Sequence, residues 1–122
     1  MDRLLLVDDE KDVLFFLKTF FQAKNFEVHV AESGKEAIKK VKEVRPHIVL
    51  LDIVMPDMSG LETLTAIKEI DPAIGVIMAT AVRDNEIGKQ AMKLGAYDYV
   101  TKPFDLEYME TTVLIKLIQM IG

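Results

Sequence analysis

The run His47-Ile48-Val49-Leu50-Leu51-Asp52 decides how this chain is read. Four apolar residues stand unbroken between two polar ones, too continuous for a strand with one face in water. A strand buried on both sides fits better, and such strands belong to parallel sheets covered by helices on both faces. Outward from it, Arg3–Val7, Glu27–Ala31, Gly75–Ala81 and Tyr97–Thr101 complete five candidate strands. Helical spacing fills the gaps. Val13, Phe16, Leu17, Phe20 and Phe21 make one apolar stripe; Ala37, Ile38, Val41 and Val44 make a second, opened by Ser33 as N-cap. Leu61, Leu64, Ile67 and Ile70 follow Ser59, and Pro72 closes that helix. Asp84 caps a helix carrying Ile87, Ala91 and Met92 that stops at Gly95, and Asp105 caps the last one. The order is (βα)5, and right-handed crossovers put helices on both faces. The expected fold is α/β, a doubly wound five-stranded parallel sheet, with residues 1–122 as one domain.

Composition agrees with a globular chain. Half of the 122 residues are hydrophobic and 29% are charged, enough to build a core without staples. The sequence contains no cysteine, which removes disulfides and thiolate metal sites. Leu4–Val7 is too short for the apolar region of a signal peptide, and no later stretch suits a membrane span. A cytoplasmic protein without membrane contact is the expectation. A net charge of −5 argues against a broad nucleic-acid surface, so no direct nucleic-acid partner is expected.

In open parallel sheets, ligands bind beyond the carboxyl ends of the strands. Asp8 and Asp9 follow the first strand, Asp52 ends the third, Thr80 closes the fourth, and Lys102-Pro103 follows the fifth. Each alone has an ordinary explanation: a loop acid, a β-branched strand residue, a surface lysine. Together they bring three carboxylates, a hydroxyl and an ammonium to one rim. Crowded carboxylates need a cation, and oxygen ligands without His or Cys suit Mg²⁺. Mg²⁺ beside Asp52 would neutralise an incoming phosphate while Thr80 and Lys102 hold its remaining oxygens. Asp52 is then a plausible nucleophile, giving an aspartyl phosphate.

Asp8-Asp9-Glu10, Leu50-Leu51-Asp52-Ile53-Val54-Met55-Pro56 with Gly60, Met78-Ala79-Thr80-Ala81 and Lys102-Pro103-Phe104 together resemble the receiver domains of bacterial response regulators. The match runs through essentially the whole chain, in order. It implies a CheY-like (flavodoxin-like) sheet of strand order 2-1-3-4-5 and a role in a two-component phosphorelay. By resemblance, Asp52 is the phosphoacceptor. Asp9, Asp52 and the backbone carbonyl of Val54 bind Mg²⁺, with Asp8 acting through metal-bound water. Thr80 and Lys102 contact the phosphoryl oxygens, and movement of Thr80 lets Tyr99 turn inward. The expected phosphodonor is a sensor histidine kinase or a histidine phosphotransfer protein. The domain catalyses its own phosphorylation and dephosphorylation rather than acting on a separate substrate. Phosphorylation favours an active form of the face made by helix 4, strand 5 and helix 5, which binds a downstream protein or a second copy.

Other phosphate chemistries fit less well. Dehalogenase-type phosphatases carry Asp-x-Asp, whereas Asp52-Ile53-Val54 lacks the second acid and Asp8-Asp9 lacks the spacer. A flavodoxin-like cofactor binder would have a first loop rich in Ser, Thr and Gly, and this one is acidic. A scaffold that used the fold only for contact would not need the acceptor set. His29 and His47 read as structural or solvent-facing. On the first helix, Leu14 and Phe15 fall off the apolar stripe beside Lys11 and Lys18, and are expected to meet the phosphodonor. On the last, Met109, Val113, Leu117 and Ile121 are assigned to the core, leaving Leu114, Ile115 and Ile118 as an outward patch for a partner.

Overall fold

The computed structural model describes residues 1–121; the expected domain end, Gly122, lies outside them. The elements are β1 (Arg3–Val7), α1 (Lys11–Ala23), β2 (Glu27–Ala31), α2 (Gly34–Val44), β3 (Ile48–Leu51), α3 (Gly60–Ile70), β4 (Gly75–Thr80), α4 (Asn85–Lys93), β5 (Asp98–Thr101) and α5 (Leu106–Ile121). All neighbouring strands are parallel, in the expected order β2-β1-β3-β4-β5. The chain steps from β1 to β2 on one side and returns to β3 on the other. The strand order therefore reverses between β1 and β3, where open sheets of this type leave a crevice.

Strand side chains alternate between two cores, as a period of two requires. Leu4, Leu6, Ile48, Leu50, Ile77 and Ala79 pack against Leu14, Leu17 and Phe21 of α1 and Met109, Val113 and Leu117 of α5. Leu5, Val7, Val49, Leu51, Val76 and Met78 pack against Ala37 and Val41 of α2, Leu64 and Ile67 of α3 and Ala91 of α4. Each large aliphatic side chain so buried contributes about 1.5–3 kcal/mol. This is why the strands read as continuous apolar runs.

The capping residues do their expected work. Ser33 Oγ accepts from the N–H of Glu36 at 3.2 Å. Ser59 and Glu62 form a reciprocal capping box at α3, a device whose loss costs about 1 kcal/mol. Asp84 accepts from Glu86 and Ile87 at α4, and Asp105 accepts from Tyr108 at α5. Gly95, with φ +106°, turns the chain after α4. No helix of the described residues is long and apolar enough to cross a membrane.

Two helix faces differ from expectation. Leu14, expected to face outward beside Phe15, is only 5% exposed and belongs to the core, whereas Phe16, assigned to the core, is 54% exposed. Val13-Leu14-Phe15-Phe16-Leu17 is apolar at every position, so hydrophobicity alone does not select a face. Leu14, Leu17 and Phe21 share an arc of roughly 60°, and Phe16 lies well over 100° from its centre. On α5, Met109, Val113 and Leu117 are buried as expected, but Ile121 is 88% exposed. Steps of four residues drift by about 40° each, so the fourth member has rotated out of the core face.

Candidate functional site

The carboxyl ends of the strands meet because the register aligns them: Val7 with Leu51, Leu51 with Met78, and Thr80 with Thr101. Asp8 and Asp52 therefore leave adjacent strands side by side, and the N–H of Asp52 donates to the Val7 carbonyl at 3.0 Å. The N–H of Lys102 donates to the Thr80 carbonyl at 2.8 Å, which brings the exit of β5 to that of β4. The Lys102–Pro103 peptide is cis.

At the centre stands the Lys102 ammonium. Its Nζ lies 2.8 Å from Asp8 Oδ2, 3.1 Å from Glu10 Oε1 and 3.3 Å from Asp52 Oδ2. Asp8 and Asp52 are almost fully buried, at 3% and 4% exposure, whereas Asp9 and Glu10 reach solvent. The second Asp52 oxygen, Oδ1, accepts from the N–H of Ile53 at 2.7 Å and, more weakly, from that of Val54 at 3.4 Å. Asp8 Oδ1 accepts from the N–H of Glu10 at 2.9 Å. The loop after Asp52 is closed by the Gly60 N–H donating to the Ile53 carbonyl at 2.7 Å. A Cβ at Gly60 would collide with the Asp52 carbonyl, so only glycine lets α3 start this close.

The electrostatics follow from that crowding. Burial raises the Asp8 pKa, an effect only partly offset by the hydrogen bond from Lys102, and the nearby Asp52 charge adds to it. For Lys102, burial alone would favour the neutral amine. The hydrogen bonds to Asp8 and Glu10 and the charges of Asp52 and Asp8 outweigh it, and its pKa is raised. The carboxylate oxygens of Asp8, Asp9 and Glu10 lie within 4.8 Å of one another. Asp8, Glu10 and Asp52 share one ammonium, and Asp9 adds a further carboxylate beside Asp8 and Glu10. An all-oxygen donor set with surplus negative charge fits a hard divalent cation such as Mg²⁺.

Thr80 is buried at the rim, and its Oγ1 accepts from the Val82 N–H at 3.3 Å. The Tyr99 hydroxyl donates to the Val82 carbonyl at 2.7 Å, and burial raises its pKa. Both expected switch residues therefore bond to the backbone of Val82, Thr80 at its N–H and Tyr99 at its carbonyl. A groove of about 760 Å³ between α4 and β5 is lined by Tyr99 together with Arg83, Asp84, Met92, Lys93 and Thr101 among others. Leu114, Ile115 and Ile118 are exposed on α5 as expected, and Phe15 is exposed on α1. Leu14 reaches the surface only as part of the lining of a small groove shared with Phe15, Lys11 and Lys18.

Three contributors had no assigned role in the sequence. Glu10 shares Lys102, a contact its place beside Asp8-Asp9 could have suggested. Arg83 donates to the Lys102 carbonyl at 2.7 Å, and Asp57 bonds the start of α2. Both join segments roughly twenty residues apart, beyond any local sequence signal.

The family described as response regulator receiver domain matches residues 4–114. The chemotaxis protein CheY of Listeria monocytogenes is 44% identical over 108 residues, 88% of this chain and 91% of that protein. The regulatory protein AtoC of Escherichia coli is 38% identical over 113 residues, 93% of this chain but 24% of AtoC. The response regulator protein TrrA of Thermotoga maritima, solved in complex with Mg²⁺-BeF, superposes with a TM-score of 0.87. It is 33% identical, with 95% of this chain and 99% of that chain covered. The chain thus spans nearly the whole of one relative and about a quarter of another.

Proposed function

Because this chain belongs to the response regulator receiver domain family, we propose that residues 1–122 form one receiver domain that takes a phosphoryl group onto Asp52 from a histidine phosphodonor. The observation that carries this reading is the buried Asp8–Lys102–Asp52 constellation, with Lys102 Nζ 2.8 Å and 3.3 Å from the two carboxylates. Ile53 and Val54 N–H groups fix one Asp52 oxygen, which orients the carboxylate as a nucleophile at little further entropic cost. A new O–P bond forms at Asp52 as the donor's N–P bond breaks, and the nitrogen keeps the electron pair. Asp9, Asp52 and the Val54 carbonyl would hold Mg²⁺, with Asp8 acting through water; the acidic cluster supports this, as does the ion reported with TrrA. When bound, Mg²⁺ supplies positive charge against the phosphoryl oxygens. Lys102 transfers its interaction from the carboxylates to one phosphoryl oxygen, and Thr80 donates to another. The domain thereby assists its own phosphorylation and its later hydrolysis.

Output follows from Thr80 leaving Val82. That movement, with Tyr99, repacks the β4–α4 turn and shifts the population of the α4–β5–α5 face toward a binding-competent form. Leu114, Ile115 and Ile118 on this face contact a downstream protein or a second copy. Phe15 on α1 contacts the sensor kinase or histidine phosphotransfer protein, in the cytoplasm. Incubation with acetyl phosphate and Mg²⁺ followed by mass spectrometry tests the core of the reading. Wild type gains one phosphoryl group and Asp52→Asn gains none; equal incorporation by both would sink the assignment.

A further inference from the structure

Asp57 lies in the loop that joins β3 to α3, away from the Lys102 constellation, yet its carboxylate is heavily engaged. Oδ1 accepts from the N–H of Gly34 at 3.0 Å and of Met58 at 2.9 Å, and Oδ2 accepts from the N–H of Lys35 at 2.9 Å. Gly34 and Lys35 open α2, so the carboxylate sits on the positive end of that helix dipole. The bonds from Lys35, Gly34 and Met58 hold its pKa below the ordinary carboxylate range. Packing reinforces the join, because a Cβ at Gly34 would run into the Met58 side chain and the Thr63 hydroxyl. The other end of the loop is tied to the acceptor through Ile53 and Val54 N–H on Asp52 Oδ1 and through Gly60 N–H on the Ile53 carbonyl. Val54, Met55 and Pro56 bridge the two anchors and belong to no helix or strand.

We propose that Asp57 is a positioning residue. By fastening the loop to the first turn of α2, it fixes the Val54 peptide beside Asp52 and so sets the affinity of the acidic pocket for a divalent cation. The inference rests on the reading in which the Val54 carbonyl is a metal ligand. With the anchor cut, the loop samples further conformations, and ordering the carbonyl on binding weakens the metal's hold.

The test is a titration of backbone amide chemical shifts with MgCl₂ on the whole chain, for wild type, Asp57→Ala, Asp57→Asn and Ser33→Ala. Ser33→Ala removes the N-cap of α2 without touching the loop, which separates helix stability from metal affinity. Asp57→Ala raises the Mg²⁺ Kd by about three- to tenfold, below the 10–100-fold typical of groups bonded directly to a metal ligand. Asp57→Asn, which keeps one oxygen acceptor, falls between, and Ser33→Ala leaves the Kd unchanged while lowering the melting temperature. An unchanged Kd in Asp57→Ala, or an equal rise in Ser33→Ala, overturns the proposal. If Asp57→Ala does not fold, an Asp57→Asn Kd equal to wild type overturns it as well. Failure of wild type itself to bind Mg²⁺ removes the metal reading and this inference with it.

Discussion

Asp52 stands in a crowded carboxylate site. It is buried beside a second buried carboxylate, Asp8, with one ammonium shared among Asp8, Glu10 and Asp52. Groups arranged for chemistry in this way lower stability. Asp52→Asn, besides blocking phosphorylation, is therefore expected to stabilise the metal-free protein by about 1 kcal/mol, roughly 4 °C in Tm. Mg²⁺ should narrow that gap; calorimetry with and without the ion checks both. Two neighbours bear on the lifetime of the phosphorylated state. Val54 and Val82 stand two residues beyond Asp52 and Thr80, and neither side chain can orient an attacking water by hydrogen bonding. Dephosphorylation should be slow, and Val54→Asn or a polar residue at Val82 should speed decay by roughly tenfold (about 1.4 kcal/mol off the barrier). Decay of radiolabel decides it; an unchanged or slower rate refutes the argument.

Among the elements, α1 presents its surface in a way its composition did not announce. Its core side runs through Leu14, Leu17 and Phe21, so Phe15 and Phe16 both face out, the former 74% exposed. Both line a groove with Leu106, and Phe16 lines a second with Pro103 and Phe104 of the β5–α5 loop, next to Lys102. Two adjacent phenylalanines in water beside the reactive rim suit a surface where a phosphodonor seats. Phe15→Lys should slow phosphotransfer from the cognate kinase by about tenfold or more, since truncating an interface aromatic commonly costs about 2 kcal/mol. Labelling by acetyl phosphate, which needs no docking, should be spared. Equal loss of both would assign Phe15 to folding instead. The β4–α4 turn shows a second property of elements. Tyr99, Thr80 and Arg83 bind Val82 and Lys102 through backbone atoms, which ties the turn to β5 and to the start of the β5–α5 loop.

For the whole molecule, the sheet sets the rim proposed for input apart from the face proposed for output. The carboxylate rim lies at the strand ends, and the proposed output face is formed by α4, β5 and α5. On α5, Leu114, Ile115 and Ile118 remain exposed after the core has taken Met109, Val113 and Leu117. Light scattering with and without a beryllofluoride mimic of the phosphoryl group should report tighter association in the activated state. An Ile115→Lys, Ile118→Glu variant should phosphorylate at the wild-type rate yet lose that association and its output. Normal signalling by this variant, with wild type monomeric in both states, would exclude the face. The sequence by itself determined the five parallel strands, the two-sided burial, the helix caps at Ser33, Ser59, Asp84 and Asp105, and the place of Asp8, Asp52, Thr80 and Lys102 at the strand ends. Those features are written in local periodicity and in short side-chain-to-backbone bonds, which neighbouring residues settle among themselves. Only the tertiary structure decided which side of α1 faces the core, that Glu10 shares Lys102 with Asp8 and Asp52, and that Asp57 reaches α2. The α1 ambiguity arose because a run of five apolar residues fits several helix rotations, and only the shape of the opposing sheet selects one. The contacts of Glu10 and Asp57 join residues far apart in the chain, brought together by parallel register and crossover packing rather than by any spacing along the sequence.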